Sequence, residues 1–293
     1  MKNPGVINEK VSYTSLTYYL LPICALLILL IIPMPEVQAQ GNLLITPRRV
    51  VFEGNKRSQD LNLANTGQDS AKYNVSIMQY RMKEDGSFEE ITTPDLGQNF
   101  ADKFIRFFPR VVTLGPMEAQ VVKMQLIKAD QLQPGEYRSH VYFRAVPKQT
   151  ALGTIEKPKD STVIGVKLVP IFGITIPVII RLGESTMKVS LSDLKLDVVN
   201  DTITRLKLAF NRTGNMSVYG DLLVEHTSPT GDLTKVGIVR GIAVYTPNPV
   251  RRFQLDLDSK AKVNYHTGTL KVTYSSQSDT KPEKYTEAEL KLQ

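Results

Sequence analysis

The imidazoles of this chain, His140, His226 and His266, lie too far apart for the close spacings of a zinc or general-base motif. Neither a glycine-rich phosphate loop nor a G-x-S-x-G elbow occurs. Asp193, Asp197 and Asp201 recur at every fourth position, but in strand and turn surroundings they read as solvated carboxylates rather than calcium ligands. No nucleophile is paired with a base, so the sequence reads as a non-enzyme without cofactor or metal. The remaining chemistry belongs to cations, because the formal net charge is +7. The largest basic clusters are Arg48-Arg49, Lys56-Arg57 and Arg251-Arg252, without the interleaved aromatics of a nucleic-acid surface. They read as solvated faces with attraction for acidic partners. In a regular strand Arg48 and Arg49 point to opposite faces, so only one of them is expected to enter any cleft. Arg106 and Arg110 flank Phe104, Phe107 and Phe108, read as core.

The element best suited to present side chains to a partner is the run from Ile164 to Arg181. Every even position from Ile164 to Ile180 is apolar, the period of a strand. At about 3.3 Å per residue it would span roughly 55 Å, far beyond a typical strand of about 5 to 6 residues. Pro170 and Pro177 cannot donate to a ladder, which places the run at a sheet edge or breaks it at a bulge or domain crossing. An accessible apolar edge invites a partner strand. Two core strands joined at a proline fit the pattern equally well, and both readings stay open here.

Lys2 and Lys10 precede an apolar run from Leu20 to Ile32, and Val37-Gln38-Ala39 before Gln40 fits a signal-peptidase site. A secretory signal peptide is expected over 1–39. The run is short for a membrane span of about 20 residues, and an uncleaved anchor is the competing reading. Cleavage removes Cys24, the single cysteine, so the exported chain would stand on its hydrophobic cores without disulfides.

Short strands and turn signals fill the rest, with almost no helical periodicity. A first strand kinked at Pro47 is expected over Leu43 to Phe52, and Asp85-Gly86 should join Met82 to Phe88 in a hairpin. Leu132 to Tyr137 resembles the tyrosine corner of immunoglobulin-like sandwiches. His140, in the strand Arg138 to Val146, reads as half-buried. Beyond Gly183-Glu184-Ser185, strands recur, beginning with Lys188 to Leu191 and Lys195 to Val199. The expectation is all-β: two immunoglobulin-like β-sandwiches in tandem, over 40–183 and 184–293.

Five stretches resemble the PapD-like periplasmic chaperones of fimbrial and pilus assembly. They are ITPRRVVFEG (45–54), DLNLANTG (60–67), RMKEDGSFEEI (81–91), FIRFFPRVVTLGPMEAQVVKMQL (104–126) and PGEYRSHVYFRAVP (134–147), and PIFGITIPVIIR (170–181) continues the likeness. It covers the first sandwich, whereas the second half is similar in strand pattern only. The resemblance implies a periplasmic protein that lends an edge strand to an incomplete β-sandwich subunit, with an outer-membrane usher as a further partner and no nucleotide. Carried over by position, the donor face is Val166, Leu168, Phe172 and Ile174, and Arg49 is the anchor for the subunit's terminal carboxylate. The family's lysine position falls near Pro177, where no charge stands, and Arg181 and Lys167 are the nearby cations. Tyr142 replaces the family's asparagine, which marks a divergent sequence. A structural or adhesive immunoglobulin-like envelope protein is the alternative reading, and self-association through the edge strand is a third.

Overall fold

The computed structural model describes residues 42–147, 171–199, 203–278 and 280–292. The export segment lies outside them, as do Val166, Lys167 and Leu168.

The described chain is all-β. Its first sandwich holds β1 (Leu43–Thr46), β2 (Val50–Phe52), β3 (Ser58–Asn65), β4 (Ala71–Met78), β5 (Tyr80–Met82), β6 (Phe88–Glu90), β7 (Ile105–Phe108), β8 (Val111–Leu114), β9 (Ala119–Leu126), β10 (Gly135–Val146) and β11 (Gly173–Leu182). One sheet runs β1-β3-β9-β7 and faces a second, β2-β11-β10-β4-β8. Alternate side chains from both fill the space between them, among them Leu61, Leu63, Val122, Met124, Val141, Phe143, Val178 and Ile180, each no more than 1% exposed. Phe107 belongs to this core and Phe104 packs against it, whereas Phe108 is 76% exposed, so the FIRFF segment divides by strand alternation instead of being core throughout.

The expected kinked first strand is two strands in two sheets. β1 pairs antiparallel with β3, and β2 runs parallel to β11. Pro47, lacking an N–H, stands where the first ladder stops, and residues 47–49 form a bend rather than a strand. Arg48 and Arg49 are thereby freed from strict alternation. The Asp85-Gly86 turn forms as expected between β5 and β6, with Met82 opposite Phe88. At the corner before β10, the Tyr137 hydroxyl accepts a hydrogen bond from the Gln133 N–H at 3.0 Å.

The second sandwich packs β12 (Lys188–Val199), β13 (Ile203–Thr213) and β16 (Val250–Asp256) against β15 (Leu233–Val244), β14 (Val218–Thr227), β17 (Thr269–Ser276) and β18 (Lys284–Lys291). Its core includes Leu206, Phe210, Leu222, Val224, Val272 and Tyr274. The two strands expected over 188–191 and 195–199 are one, interrupted by a bulge between Ser192 and Lys195. Asp193 takes φ 55° there, a left-handed conformation that aspartate tolerates better than most residues. Asp197 is paired with Lys207 at 2.5 Å, and Asp201 lies outside the described residues.

The β5–β6 hairpin of the first sandwich reaches the second. The Arg252 N–H donates to the Glu84 carbonyl at 2.6 Å, and Asn248 Nδ2 donates to the Met82 carbonyl at 2.5 Å. Beneath it, Met82 and Ile179 form a small buried cluster with Ala243 and Tyr245. This clasp sets the spacing of the site described next.

Candidate functional site

β11 has two neighbours for only part of its length. β10 pairs with it from Gly173 to Leu182, but β2 covers only Val178 to Ile180. The other edge of Gly173 to Pro177 carries no ladder partner among the described residues. Pro177, which has no N–H to offer, marks where the second neighbour ends. Phe172 and Ile171, just before this edge, are 46% and 43% exposed. Ile174 points inward and packs against the first core. Gly173 lies beneath Tyr142: a Cβ there would come within 2.1 Å of the tyrosine ring. Tyr142 thus covers a glycine diagonally across the sheet.

The open edge runs into a cleft of about 450 Å³ between the sandwiches. Both Arg48 and Arg49 line it, contrary to the alternation expected of a strand, because the bend after Pro47 turns both toward the same space. The Arg49 guanidinium stacks on Tyr219, 4.3 Å from the ring centroid, and its buried Nε has no hydrogen-bond partner. Burial lowers its pKa, and the neighbouring Arg181 lowers it further against opposing contributions from Tyr245 and Glu136. The group remains a guanidinium at any ordinary pH.

Beside it, the even-numbered residues of β10 form a polar stripe. Glu136, Arg138 and His140 are respectively 3%, 3% and 4% exposed. Arg138 stacks on Tyr245 at 4.1 Å and donates from Nη2 to the Tyr80 carbonyl at 3.3 Å, while its Nε and Nη1 have no partner. His140 is buried rather than half-buried, because the strand's second face is covered by the junction of the two sandwiches. It lies opposite Pro177, edge-on to Tyr80 and Phe88, with Nδ1 unpartnered. Burial, then the charge of Arg138, push its pKa from 6.5 down to about 3, leaving a neutral ring.

Glu136 serves a different purpose. Paired across the strands with Arg181, it accepts from Arg181 Nε at 3.1 Å, the Ser217 N–H at 3.0 Å and the Ser217 hydroxyl. Arg181 Nη2 then donates to the Ser217 carbonyl at 2.6 Å. This fully buried carboxylate is satisfied by both sandwiches and fixes them to each other. Arg181, a nearby cation in the sequence reading, is thereby committed to the junction.

The structure therefore brings Arg49 and the β11 edge to one cleft. The sequence reading missed Arg138, Tyr219 and Tyr245. The signal for Arg138 was present in β10, where Glu136, Arg138, His140, Tyr142 and Arg144 give an unbroken polar face in a chain of half-apolar strands.

No protein-family model matches the sequence, and no curated protein matches it. Among solved structures it is similar to the YadV chaperone, at 13% identity over 86% of this chain and 100% of that one, with a TM-score of 0.43. It is similar to the CupB2 chaperone of Pseudomonas aeruginosa at 14% identity, over 85% and 100% of the two chains, with a TM-score of 0.39. Similarity extends to the CsuC-CsuE chaperone and tip-adhesion-subunit complex of the archaic Csu pili of Acinetobacter baumannii, at 13% identity, 84% and 97% coverage and a TM-score of 0.43. The solved structures to which this chain is similar include chaperones of fimbriae and pili.

Proposed function

We propose that this protein is an exported periplasmic chaperone that holds an incomplete β-sandwich subunit by adding a strand to it. The uncovered half of β11, running into a cleft with an unpartnered arginine nitrogen, carries the reading. A subunit strand pairing along Gly173 to Pro177 would satisfy main-chain groups that no strand among the described residues covers. Val166, Leu168 and Phe172 would enter the subunit's groove, with Ile174 at the boundary of this protein's own core. Each apolar side chain fully buried in this way contributes about 1.5 to 3 kcal/mol. The subunit's terminal carboxylate would meet Arg49, whose fork is suited to it and whose stacking on Tyr219 holds it in place.

The test is affinity capture from periplasmic extract with the wild type beside Leu168→Asp and Phe172→Asp, followed by mass spectrometry. A small exported β-subunit present with the wild type and missing with the folded variants is the expected result. Recovery of the same partners from all three would sink the proposal.

A further inference from the structure

Arg49 and Tyr219 also border a second cleft, of about 640 Å³, bounded by Glu53, Arg181, Ser217 and Arg240. Arg48, Arg49, Tyr219 and Gly241 line both clefts, so the two form one groove. Its character changes along its length. Toward the β11 edge it is aromatic, with Tyr80, Phe88, Tyr142 and Tyr245, and past Arg49 it is basic.

The charges there are unequal. Arg181 is occupied by Glu136. Arg48, Arg49 and Arg240 have no carboxylate partner among the described residues, whereas other arginines do, as Arg81 with Asp95 and Arg205 with Asp256. Glu53 is the acidic side chain bordering the basic part. Asp221, close by, already accepts from the Gly241 N–H at 2.9 Å and from Gln277 Nε2 at 2.7 Å. Three unpaired guanidiniums in a concave surface concentrate a positive field that one terminal carboxylate does not balance.

We infer that the groove selects a chain terminus bearing an acidic side chain at its last or penultimate residue. The α-carboxylate lies at Arg49, and the side-chain carboxylate is held by Arg240 with Arg48. The inference rests on the capture of a subunit terminus proposed above, and adds which termini are taken. Guanidinium forks favour a carboxylate over an amide of the same shape, because only the carboxylate accepts two charge-assisted bonds.

Fluorescence anisotropy of the purified full chain tests this with labelled peptides of alternating valine and threonine. One ends in aspartate, one in asparagine, and one in aspartate with an amidated terminus. The aspartate peptide is expected to bind about tenfold more tightly than the asparagine peptide. Arg240→Ala, at an exposed position, should abolish that preference by weakening the aspartate peptide more than the asparagine peptide. Equal affinity for the two, or a preference that survives both Arg240→Ala and Arg48→Ala, overturns the inference. Weakening by amidation in that case shows the Arg49 anchor intact. Unchanged binding of the amidated peptide overturns the anchor instead, and failure of all three to bind overturns both.

Discussion

Acid should weaken this fold through His140. The folded ring, buried beside the Arg138 guanidinium and the edges of Tyr80 and Phe88, is protonated only near pH 3. In the unfolded chain it takes its proton at about pH 6.5. Between those values the unfolded state binds a proton that the folded state does not, so stability is complete above about 6.5 and is lost progressively as the pH falls toward 3. At about pH 5 the loss is roughly 1.5 pH units at 1.36 kcal/mol each, or about 2 kcal/mol. No carboxylate among the described residues bonds to the ring to offset it, and the charge of Arg138 opposes protonation. Urea unfolding of the wild type and His140→Phe at about pH 7.5 and about pH 5 isolates the effect, because every other titrating group is common to both. The wild type should lose about 2 kcal/mol more than the variant. The imidazole resonances of His140 should also stay constant down to about pH 4. An equal loss in both proteins, or a titration midpoint near 6.5, would refute the buried neutral ring.

Glu136→Ala should cost about 3 to 5 kcal/mol in urea unfolding, since it leaves Arg181 uncompensated and strips Ser217 of its acceptor. Tyr137→Phe, which removes only the bond from the Gln133 N–H, should cost about 1 kcal/mol by the same measurement. Gly86→Ala combines a φ of 83° with a Cβ 2.4 Å from the Arg251 guanidinium, and should destabilise by at least about 1 kcal/mol while loosening protection of the Arg252 amide in hydrogen exchange.

The strand pattern was legible because most of these strands have one face on a core and one in solvent, and alternation reports that difference directly. It failed where backbone chemistry overrode it. Pro47 ended one ladder and sent the chain into the other sheet, which alternation in Leu43 to Phe52 does not reveal. Asp193 absorbed a bulge inside a strand that reads as two. His140 misled for a related reason: a polar residue at an alternate position signals solvent, unless a second domain covers that face. Arg138 meets Tyr245, Arg49 meets Tyr219 and Glu136 meets Ser217 across 81 or more residues of sequence, and no local pattern records such a meeting.

The two buried cation arrangements at the junction are built on opposite principles, and the contrast bears on function. Arg181 is given a carboxylate, Glu136, and a carbonyl from the facing sandwich, which is how a buried charge is made stable. Arg49 and Arg138 receive tyrosine faces and no carboxylate, Arg138 adding one bond from Nη2 to the Tyr80 carbonyl, and Nε of each is left without a partner. Stacking offsets part of the desolvation cost, but an unpaired buried donor costs about 1 to 3 kcal/mol. A ligand carboxylate reaching Arg49 would remove that cost in the bound state alone, so binding and the packing of Tyr219 against the first sandwich would be coupled. An occupied cleft should therefore raise the unfolding midpoint in proportion to the logarithm of ligand concentration. Arg49→Leu should be no less stable than the free wild type, and should lose that rise.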